Sequence, residues 1–357
     1  MKIRKAVIIT GYSCNNNCIF CYDSEKRRVY PDLKTQQVKE RILRARQRGC
    51  DYLDFIGGEF TIRKDAPMLV AYAKRLGFAT VSITTNGRLF SNREKLLLFK
   101  RNGLDSIIFS IHGHNSRLHD KQTRVKGSFA QLLKAIANAK SLGFKFNANV
   151  TISKLNLASL PKIARFIRRL GCTNAEFIFV DPSTGGAREH FDRLVPRLKT
   201  ASRYILEALD IGRKLPHWHV RYLPLCYISS HLSQISELSA SFSSEEHQGP
   251  EFTNLRVAEG RRLVGRTKAS QCRFCFYDDV CEGIWVEYAA RRGLQEIRPI
   301  RTEKKLPLNT KVTMTPINRK KAKGNLASFE SLDRKTKANT RIAEPTSPSM
   351  KSNVYML

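Results

Sequence analysis

Three cysteines near the start of the chain have side chains and spacing that could bind a metal cluster. Cys14, Cys18 and Cys21 form a C-x3-C-x2-C pattern, and no histidine occurs before His112 to complete a mixed site. Thiolates suit zinc, copper(I) or iron–sulfur clusters, but structural zinc sites usually need four closed ligands. Three thiolates on a cubane of four irons leave one iron open for a ligand. The pattern therefore predicts a catalytic iron–sulfur site.

A second cysteine group lies far along the chain. Cys272, Cys275 and Cys281 have the spacing C-x2-C-x5-C, and Cys226 could supply a fourth thiolate from a distance. Groups this tight indicate metal ligands in preference to disulfides. Four cysteines could close a zinc site or hold an iron–sulfur cluster. Loose structural thiols are the third interpretation.

The charge balance is strongly basic. The chain has 63 Lys and Arg residues against 31 Asp and Glu residues, a net charge of +32, and residues 301–357 account for only part of the excess. Such a field attracts polyanions, including nucleic acid, anionic membrane surfaces and acidic peptides. A basic solubilising surface is an equal alternative.

The composition is that of a folded protein. Hydrophobic residues make up 41% of the 357, enough for one large domain or two modest ones. We expect no transmembrane helix, since no run of about 18 apolar residues occurs, and no secretory signal. Lone Cys50 and Cys172 are interpreted as buried structural thiols. Open-site iron–sulfur clusters need a reducing compartment, so the predicted location is the cytoplasm.

The first 183 residues alternate strand-like and helix-like segments. Short runs rich in β-branched and aromatic residues predict strands at 6–12, 51–57, 78–85, 106–111, 145–152 and 174–181. Apolar residues at helical spacing predict helices at about 34–48, 66–76, 91–102, 128–142 and 157–170, and then a long helical stretch over 184–215. Six alternating units predict a parallel sheet, either barrel-like or doubly wound.

The positions of the candidate functional groups favour the barrel. Residues 14–21, 57–59, 85–87 and 110–113 each follow a predicted strand, and in β/α barrels the C-terminal strand ends converge on one mouth. Because the regular alternation stops near residue 183, six units fit better than eight. We therefore predict an α/β fold with a partial (β/α)6 TIM-like barrel.

The predicted organisation has three parts. Residues 1–215 form the core barrel, and residues 216–300 form an irregular, cysteine-rich extension. Residues 301–357 are rich in Lys, Ser, Thr, Asn and Pro and poor in large apolar groups, which predicts a basic, disordered tail.

With these features in place, the sequence resembles the radical S-adenosylmethionine (radical SAM) superfamily. The three-cysteine motif with Phe20 before its last cysteine, the six-fold β/α alternation and the Gly-Gly-Glu sequence at 57–59 all match, over roughly residues 5–185. Phe60 stands where the family usually has proline, whereas Thr61 is retained.

The resemblance implies a specific chemistry. Cys14, Cys18 and Cys21 would bind a [4Fe-4S] cluster whose open iron is chelated by the amino and carboxylate groups of S-adenosylmethionine. One electron, delivered by a donor such as flavodoxin or ferredoxin, would split the sulfonium carbon–sulfur bond into methionine and a 5′-deoxyadenosyl radical. That radical would take a hydrogen atom from the substrate, while the protein positions the cofactors.

The resemblance also implies cofactor contacts outside the cysteines, namely Phe20, Gly57, Gly58, Glu59, Asn86, Ser110 and Arg124. The glycines would let the backbone approach the ligand closely. Glu59 would accept a hydrogen bond from the methionine ammonium and Arg124 would pair with the methionine carboxylate, with a solvated position as the alternative for both. His112 either faces the substrate or is a satisfied residue at the barrel mouth. Asn149 or Thr151 would line the pocket.

The second cysteine group, followed by Gly-Ile-Trp at 283–285, resembles the auxiliary-cluster extensions called SPASM or twitch. The full SPASM pattern has more cysteines than this region offers. We therefore expect one auxiliary [4Fe-4S] cluster on Cys226, Cys272, Cys275 and Cys281, with zinc as the alternative.

The substrate is not specified by the sequence. The resemblance implies a peptide, a protein or a small metabolite. The basic charge leaves an RNA-modifying radical SAM enzyme as an alternative, with nucleic acid or another acidic molecule as its partner, although no RNA-binding module is evident. A non-catalytic iron–sulfur or nucleic-acid-binding protein is the alternative from another class. Retention of all three cysteines together with Glu59 favours the enzyme.

Overall fold

The computed structural model describes residues 3–239 and 242–301, which are built around one large sheet. Its strands are β1 (Arg4–Ile9), β2 (Tyr52–Ile56), β3 (Thr80–Thr85), β4 (Ser106–Ser110), β5 (Lys145–Ile152), β6 (Asn174–Phe179), β7 (His217–Arg221), β8 (Ser244–Gln248) and β9 (Thr253–Asn254). Their order is β7-β6-β5-β4-β3-β2-β1-β8-β9, and every neighbouring pair is parallel except β8 and β9. The sheet is the open, partial barrel that the sequence predicts.

Helices connect the strands, as parallel pairing requires. They are α1 (Lys26–Val29), α2 (Thr35–Gln47), α3 (Ala66–Arg75), α4 (Arg93–Arg101), α5 (Ser116–Thr123), α6 (Ser128–Ser141), α7 (Leu160–Arg169), α8 (Gly185–Glu189), α9 (Phe191–Leu194), α10 (Leu198–Ile211), α11 (Val257–Gly260) and α12 (Val286–Arg292). Short 3-10 turns begin at several connections, including Phe60–Ile62 after β2. The residues near the second cysteine group add a small antiparallel pair, β10 (Arg266–Thr267) and β11 (Ile284–Trp285).

Alternation along each strand separates the core from the interior of the barrel. In β4, Ile107 and Phe109 are fully buried in the hydrophobic core, whereas Ser106 and Ser110 on the other face are partly exposed. Strands β5 and β6 repeat the pattern. The apolar face therefore packs towards the helices, and the opposite face leaves a polar lumen.

The six strands expected between residues 6 and 181 are all present, and the predicted α/β class is confirmed. Three further strands extend the sheet beyond residue 215, so the sheet crosses the expected boundary between residues 215 and 216. That domain division stays a prediction. The single helical stretch expected over 184–215 is wrong: three helices occupy it, and the last break falls at Pro196, which cannot donate a helical hydrogen bond.

Two other expectations meet the structure here. Cys50 and Cys172 are buried as expected, and burial raises their thiol pKa values to about 11 and about 12. The tail predicted over 301–357 lies, beyond Arg301, outside the described residues. Among the helices of residues 3–239 and 242–301, none combines the length and the apolar composition that crossing a membrane requires.

Candidate functional site

The segment that follows β1, residues 10–22, carries all three N-terminal cysteines and is called here the cluster loop. Neighbouring segments fix it on two sides. Ile19 donates its backbone N–H to the carbonyl of Gln122 at 2.9 Å. At the start of the loop, the Asp32 carboxylate accepts the backbone N–H of Tyr12 at 2.8 Å. The loop is therefore ordered by the protein itself.

The three thiols of the cluster loop share one partly buried environment. Burial raises the pKa of Cys14 to about 11 and also raises those of Cys18 and Cys21, and for Cys18 the other two sulfurs add to the shift. Two N–H groups point at the sulfurs: the Asn16 backbone lies 3.3 Å from Cys14 Sγ, and Arg27 Nη2 lies 3.5 Å from Cys21 Sγ. These donors favour thiolates over thiols.

Gly57 and Gly58 seat the end of β2 against the cluster loop. Their φ angles are +81° and +50°, which side chains disfavour. A Cβ on Gly57 would lie 2.3 Å from Ile9 Cγ2, and one on Gly58 would lie 2.3 Å from the Ser13 carbonyl oxygen. The next residue, Glu59, donates its N–H to that same oxygen at 2.8 Å. Gly58 therefore lies directly against the backbone of the cluster loop, and Gly57 lies directly against Ile9 of β1.

Glu59 is a buried carboxylate with four donors around it, so the solvated alternative is wrong. Its Oε1 accepts the hydroxyls of Thr61 and Thr85 at 2.6 and 2.7 Å and the Thr61 N–H at 3.3 Å. Its Oε2 accepts the Asn86 N–H at 2.8 Å. Burial raises the pKa of Glu59 and these hydrogen bonds oppose the shift. Since a carboxylate offers about four lone-pair sites, the singly bonded Oε2 keeps capacity for one further donor.

Asn86 connects that carboxylate to the first cysteine. Its backbone binds Glu59, and its side-chain Nδ2 donates to Asn15 Oδ1 at 2.7 Å and lies 3.8 Å from Cys14 Sγ. The residues after β2 and β3 and the cluster loop thus form one hydrogen-bonded unit. Strands β1, β2 and β3 are neighbours in the sheet, which is why their ends meet.

The remaining expected contacts, Ser110 and Arg124, belong to β4 and to the residue after α5. Ser110 at the end of β4 pairs in register with Asn149 of β5, and both side chains are partly exposed at the lumen. Arg124 follows α5 with a left-handed φ of 55°, and its exposed side chain places Nη2 3.4 Å from His190 Nε2. The carbonyl of its neighbour Thr123 accepts a backbone N–H from the cluster loop.

His112 packs beneath the cluster loop. It is 5% exposed, and its ring contacts Phe20 edge-to-face at 4.7 Å and stacks on His119 at 5.9 Å. Its Nδ1 accepts the Thr151 N–H at 3.4 Å. Burial and then His119 lower its pKa to about 3, so the ring is neutral. The satisfied alternative for His112 is therefore correct, and Phe20 is itself largely buried.

Two arginines that sequence reasoning missed hold the cluster loop. Arg27 donates to Cys21 Sγ and, at 3.0 Å, to the Asn16 carbonyl. Arg88 donates to the Asn15 carbonyl, and its Nε binds Gln131 at 2.6 Å. In a chain with 63 basic residues, neither arginine stands out without its partner. For Arg88, the sequence signal is its position two residues after Asn86, which is itself an expected cofactor contact.

The structure brings the second cysteine group together, including the distant Cys226. Cys226, Cys272, Cys275 and Cys281 line one pocket with about 360 Å³ of empty space, part of it open to solvent. Backbone N–H groups point at these sulfurs too: that of Leu225 lies 3.5 Å from Cys281 Sγ. Burial raises the pKa of Cys226 to about 11, and the other three cysteines add to the shift.

Neither group converges on a point. Across residues 3–239 and 242–301, no three His, Cys, Asp or Glu side chains come together closely enough to hold a single metal ion. The second group lines a pocket, as the thiolates of a polynuclear cluster do when each binds a different iron.

Comparison with known proteins identifies the domain. Residues 8–167 match the Radical SAM superfamily. The chain is 34% identical over 165 residues to Fe-coproporphyrin III synthase of Methanosarcina barkeri, covering 45% of this chain and 41% of that protein. It is 31% identical to the AdoMet-dependent heme synthase of Oleidesulfovibrio alaskensis, covering 58% and 53%. The chain thus spans about half the length of the curated relatives it matches.

Solved structures share the fold. Streptococcus suis SuiB bound to the precursor peptide SuiA has a TM-score of 0.59 at 17% identity, over 85% of this chain and 76% of SuiB. The enzyme anSMEcpe with bound AdoMet and a Cp18Cys peptide has a TM-score of 0.59 at 12% identity, over 94% and 99%. Residues 8–167 therefore form a radical SAM domain.

Proposed function

We propose that this protein is a radical SAM enzyme that holds a [4Fe-4S] cluster on Cys14, Cys18 and Cys21 and cleaves S-adenosylmethionine reductively. The observation that carries the proposal is the gathering of three partly buried thiols in one loop at the carboxyl ends of β1, β2 and β3. The membership of residues 8–167 in the superfamily supports it.

The chemistry of the donor set fits a cluster. Burial raises the pKa of all three thiols, so they need cationic charge nearby to exist as thiolates. Iron supplies that charge, and the N–H groups of Asn16 and Arg27 supply hydrogen bonds to sulfur. Together, the cluster and S-adenosylmethionine supply a 5′-deoxyadenosyl radical that takes a hydrogen atom from the substrate.

The surrounding residues are proposed to bind S-adenosylmethionine. Glu59 Oε2 accepts the methionine ammonium on its remaining lone pair, because the four protein donors hold the carboxylate in place. Arg124 is charged and exposed beside the cluster loop, where it pairs with the methionine carboxylate. The other proposed contacts are Phe20, Gly57, Gly58, Asn86 and Ser110.

The second cysteine group is proposed to hold an auxiliary [4Fe-4S] cluster. Four thiols line one pocket, and four Cys thiolates are the usual ligands of a [4Fe-4S] cluster. Backbone N–H groups directed at sulfur are a feature that sets cluster potentials. A closed, four-cysteine site would transfer electrons or shape the substrate pocket.

Ion pairs line the lumen of the barrel. Lys5 contacts Glu245 at 3.3 Å and Asp54 at 3.6 Å, and Arg221 lies 3.7 Å from Glu176. A peptide, a protein or a small metabolite is the proposed substrate class. Structural relatives with bound peptides support the first, and the synthases among the sequence relatives support the last. A flavodoxin or ferredoxin is the proposed electron donor.

The test is anaerobic reconstitution followed by measurement of iron and of 5′-deoxyadenosine formed with dithionite. We expect about eight irons per chain for two four-iron clusters, with cleavage of S-adenosylmethionine. Cys18→Ala should abolish cleavage, whereas Cys172→Ala, a matched control at a buried thiol away from both groups, should retain it. A chain without iron and without cleavage would instead be a non-catalytic binding protein, which contradicts the proposal.

A further inference from the structure

A group of cationic and aromatic side chains lies between the extension and the barrel. It comprises Tyr222, Arg261, Arg266, Glu282 and Trp285 and is called here the arginine–aromatic group. The Arg266 guanidinium lies with its Cζ 3.4 Å from the Trp285 ring centroid and 4.9 Å from that of Tyr222. Arg261 approaches the Tyr222 ring at 5.3 Å. The aromatic rings therefore hold the Arg266 guanidinium in a fixed position.

Arg266 is buried and has no hydrogen-bond partner among residues 3–239 and 242–301. Its side chain is 1% exposed, and Nε, Nη1 and Nη2 all lack an acceptor in that part of the chain. The nearest carboxylate atom, Glu282 Oε2, is 4.0 Å from Nε, beyond hydrogen-bond distance. A buried charge with all its donors unmet is costly, so a native protein keeps one for a reason.

The neighbouring acids have other partners. Both oxygens of Glu282 accept from Arg261, at 2.7 Å each. Glu237 Oε1 accepts the Tyr222 N–H at 2.6 Å, and burial raises the pKa of Glu237, which favours its neutral form. Burial also raises the pKa of Asp181. Among the described residues, the local acids therefore leave Arg266 without a hydrogen-bonded carboxylate, although Glu237 Oε2 has no hydrogen-bond partner there either.

The arginine–aromatic group lies at the same end of the barrel as the cluster loop. Tyr222 directly follows β7 and Asp181 follows β6, so both are at carboxyl ends of strands. In the segment after β6, Gly186 donates its N–H to the carbonyl of Cys21 at 2.9 Å, which joins that segment to the cluster loop. Asp181 and Tyr222 are partly exposed, so solvent reaches the edge of this region.

Backbone strain marks the same position. Tyr222 has a φ of +78°, a conformation that a bulky residue rarely adopts. Strain of this kind is retained where it positions a functional group. Here it turns the Tyr222 ring onto Arg266 and Trp285, which it contacts edge-to-face at 4.9 Å.

We propose that Arg266 is the substrate-anchoring residue of this enzyme and that the substrate carries an anionic group, a carboxylate or a phosphate, which binds the Arg266 guanidinium. This inference rests on the proposed function, because it places the substrate between the extension and the cluster loop. A planar guanidinium with free donors matches either oxyanion in a bidentate manner.

Tryptophan fluorescence tests the proposal, since Trp285 contacts Arg266 and the only other tryptophan, Trp218, is buried within β7. The reconstituted full chain is titrated with inorganic phosphate and, separately, with acetate, each against chloride at constant ionic strength. We expect a saturable change that Trp285→Phe removes. Arg266→Gln should weaken the apparent affinity by about tenfold or more, whereas Arg256→Gln, at a 75% exposed arginine of the extension, should leave it unchanged.

The two titrations distinguish the sources, since the tighter anion identifies the substrate group as phosphate or carboxylate. A wild-type protein without an anion response, or a response that Arg266→Gln leaves intact, overturns the proposal. Stability supplies a second readout. An anchoring Arg266 predicts that Arg266→Met keeps the melting temperature or raises it. If Arg266 instead pairs structurally with Glu237, both Arg266→Met and Glu237→Gln lower the melting temperature.

Cleavage of S-adenosylmethionine is measured on the same preparations. Cleavage without an anion response overturns the anchoring role of Arg266 and leaves the proposed function standing. An anion response that depends on Arg266, in a chain that cleaves no S-adenosylmethionine, overturns the proposed function and leaves an anion-binding site.

Discussion

Arg27 Nη2 lies 3.5 Å from the sulfur of Cys21, while Nη1 of the same guanidinium donates to the Asn16 carbonyl at 3.0 Å. One positive charge thus joins the middle and the end of the cluster loop. Its Nε is buried and has no partner in the part of the chain that the structure describes, which leaves the guanidinium with these two contacts. Arg27 therefore acts on the cysteines through charge as well as through geometry.

Replacing Arg27 should make the proposed N-terminal cluster harder to reduce. Arg27→Gln removes a cation and an N–H···S hydrogen bond, both of which favour the more negative, reduced state. A hydrogen bond worth about 1 kcal/mol corresponds to about 40 mV for one electron. Redox titration monitored by electron paramagnetic resonance measures the midpoint potential. The control is Arg28→Gln, at the exposed neighbouring residue, and equal potentials in both variants would contradict the role of Arg27.

A methyl group at Gly58 should separate β2 from the cluster loop. Its Cβ would lie 2.3 Å from the Ser13 carbonyl oxygen at a φ of +50°, so Gly58→Ala should lower the free energy of unfolding by about 2–4 kcal/mol and reduce iron incorporation. Gly127→Ala is the matched control, because Gly127 has a φ of +80° with no atom within 4 Å of an added Cβ. It should cost about 1 kcal/mol and keep the iron. Urea unfolding measures the stability of both variants, and iron analysis measures how much iron they bind.

Buried His112 should make the fold sensitive to acid. Its folded-state pKa of about 3 lies below the ordinary value of 6.5, because burial penalises the charged ring. The unfolded chain therefore binds the proton first, and this part of the stability is present above pH 6.5 and is lost as the pH falls towards 3. His112→Asn should reduce the slope of unfolding free energy against pH by about 1.4 kcal/mol per unit below pH 6. A His112→Asn slope equal to that of the unchanged protein would contradict this account.

The Glu59 carboxylate should be irreplaceable by its amide. Glu59→Gln puts an NH2 donor against hydroxyl and N–H donors from Thr61, Thr85 and Asn86. Leaving such buried donors unmet costs about 1–3 kcal/mol, and binding of S-adenosylmethionine should weaken as well. Equilibrium binding and urea unfolding measure the two effects. Glu94→Gln, at a side chain that is 78% exposed, is the control, and similar behaviour of the two variants would remove Glu59 from the site.

The repeated β/α units could be predicted because strand-like apolar segments alternate with helical segments that end at glycine. Strand β8 could not be predicted in this way. Its sequence, Ser-Glu-Glu-His-Gln, has no apolar residue, since one face presents Glu245 and His247 to the polar lumen. On the other face, buried Glu246 is paired with Arg48 by two hydrogen bonds of 2.9 and 2.6 Å. Ion pairing thus replaces the hydrophobic pattern on which strand prediction depends.

The candidate site likewise has residues that the sequence predicts and residues that only the structure identifies. Cysteine spacing was enough to expect that Cys226 joins the second group, because a four-cysteine site needs one more thiol. The contacts of Arg27 and Arg266 depend on tertiary structure alone, and both residues are surrounded in the sequence by other basic residues. The sequence therefore identifies candidate cluster ligands by their chemistry. The side chains proposed to tune the cluster or to anchor the substrate are identified only by their contacts and burial in the structure.

Removal of Cys226 should impair the second cysteine group and leave the N-terminal cysteines functional. Cys226 lines the second pocket and is far in sequence from its three partners, so Cys226→Ala should lower the iron content from about eight towards about four per chain by emptying that pocket. The cluster loop does not depend on Cys226, and reductive cleavage of S-adenosylmethionine should therefore persist while turnover of substrate is lost. Cys172→Ala, at another buried thiol, should keep both the iron and the cleavage. An iron content that Cys226→Ala leaves unchanged would show that the second site does not use this cysteine.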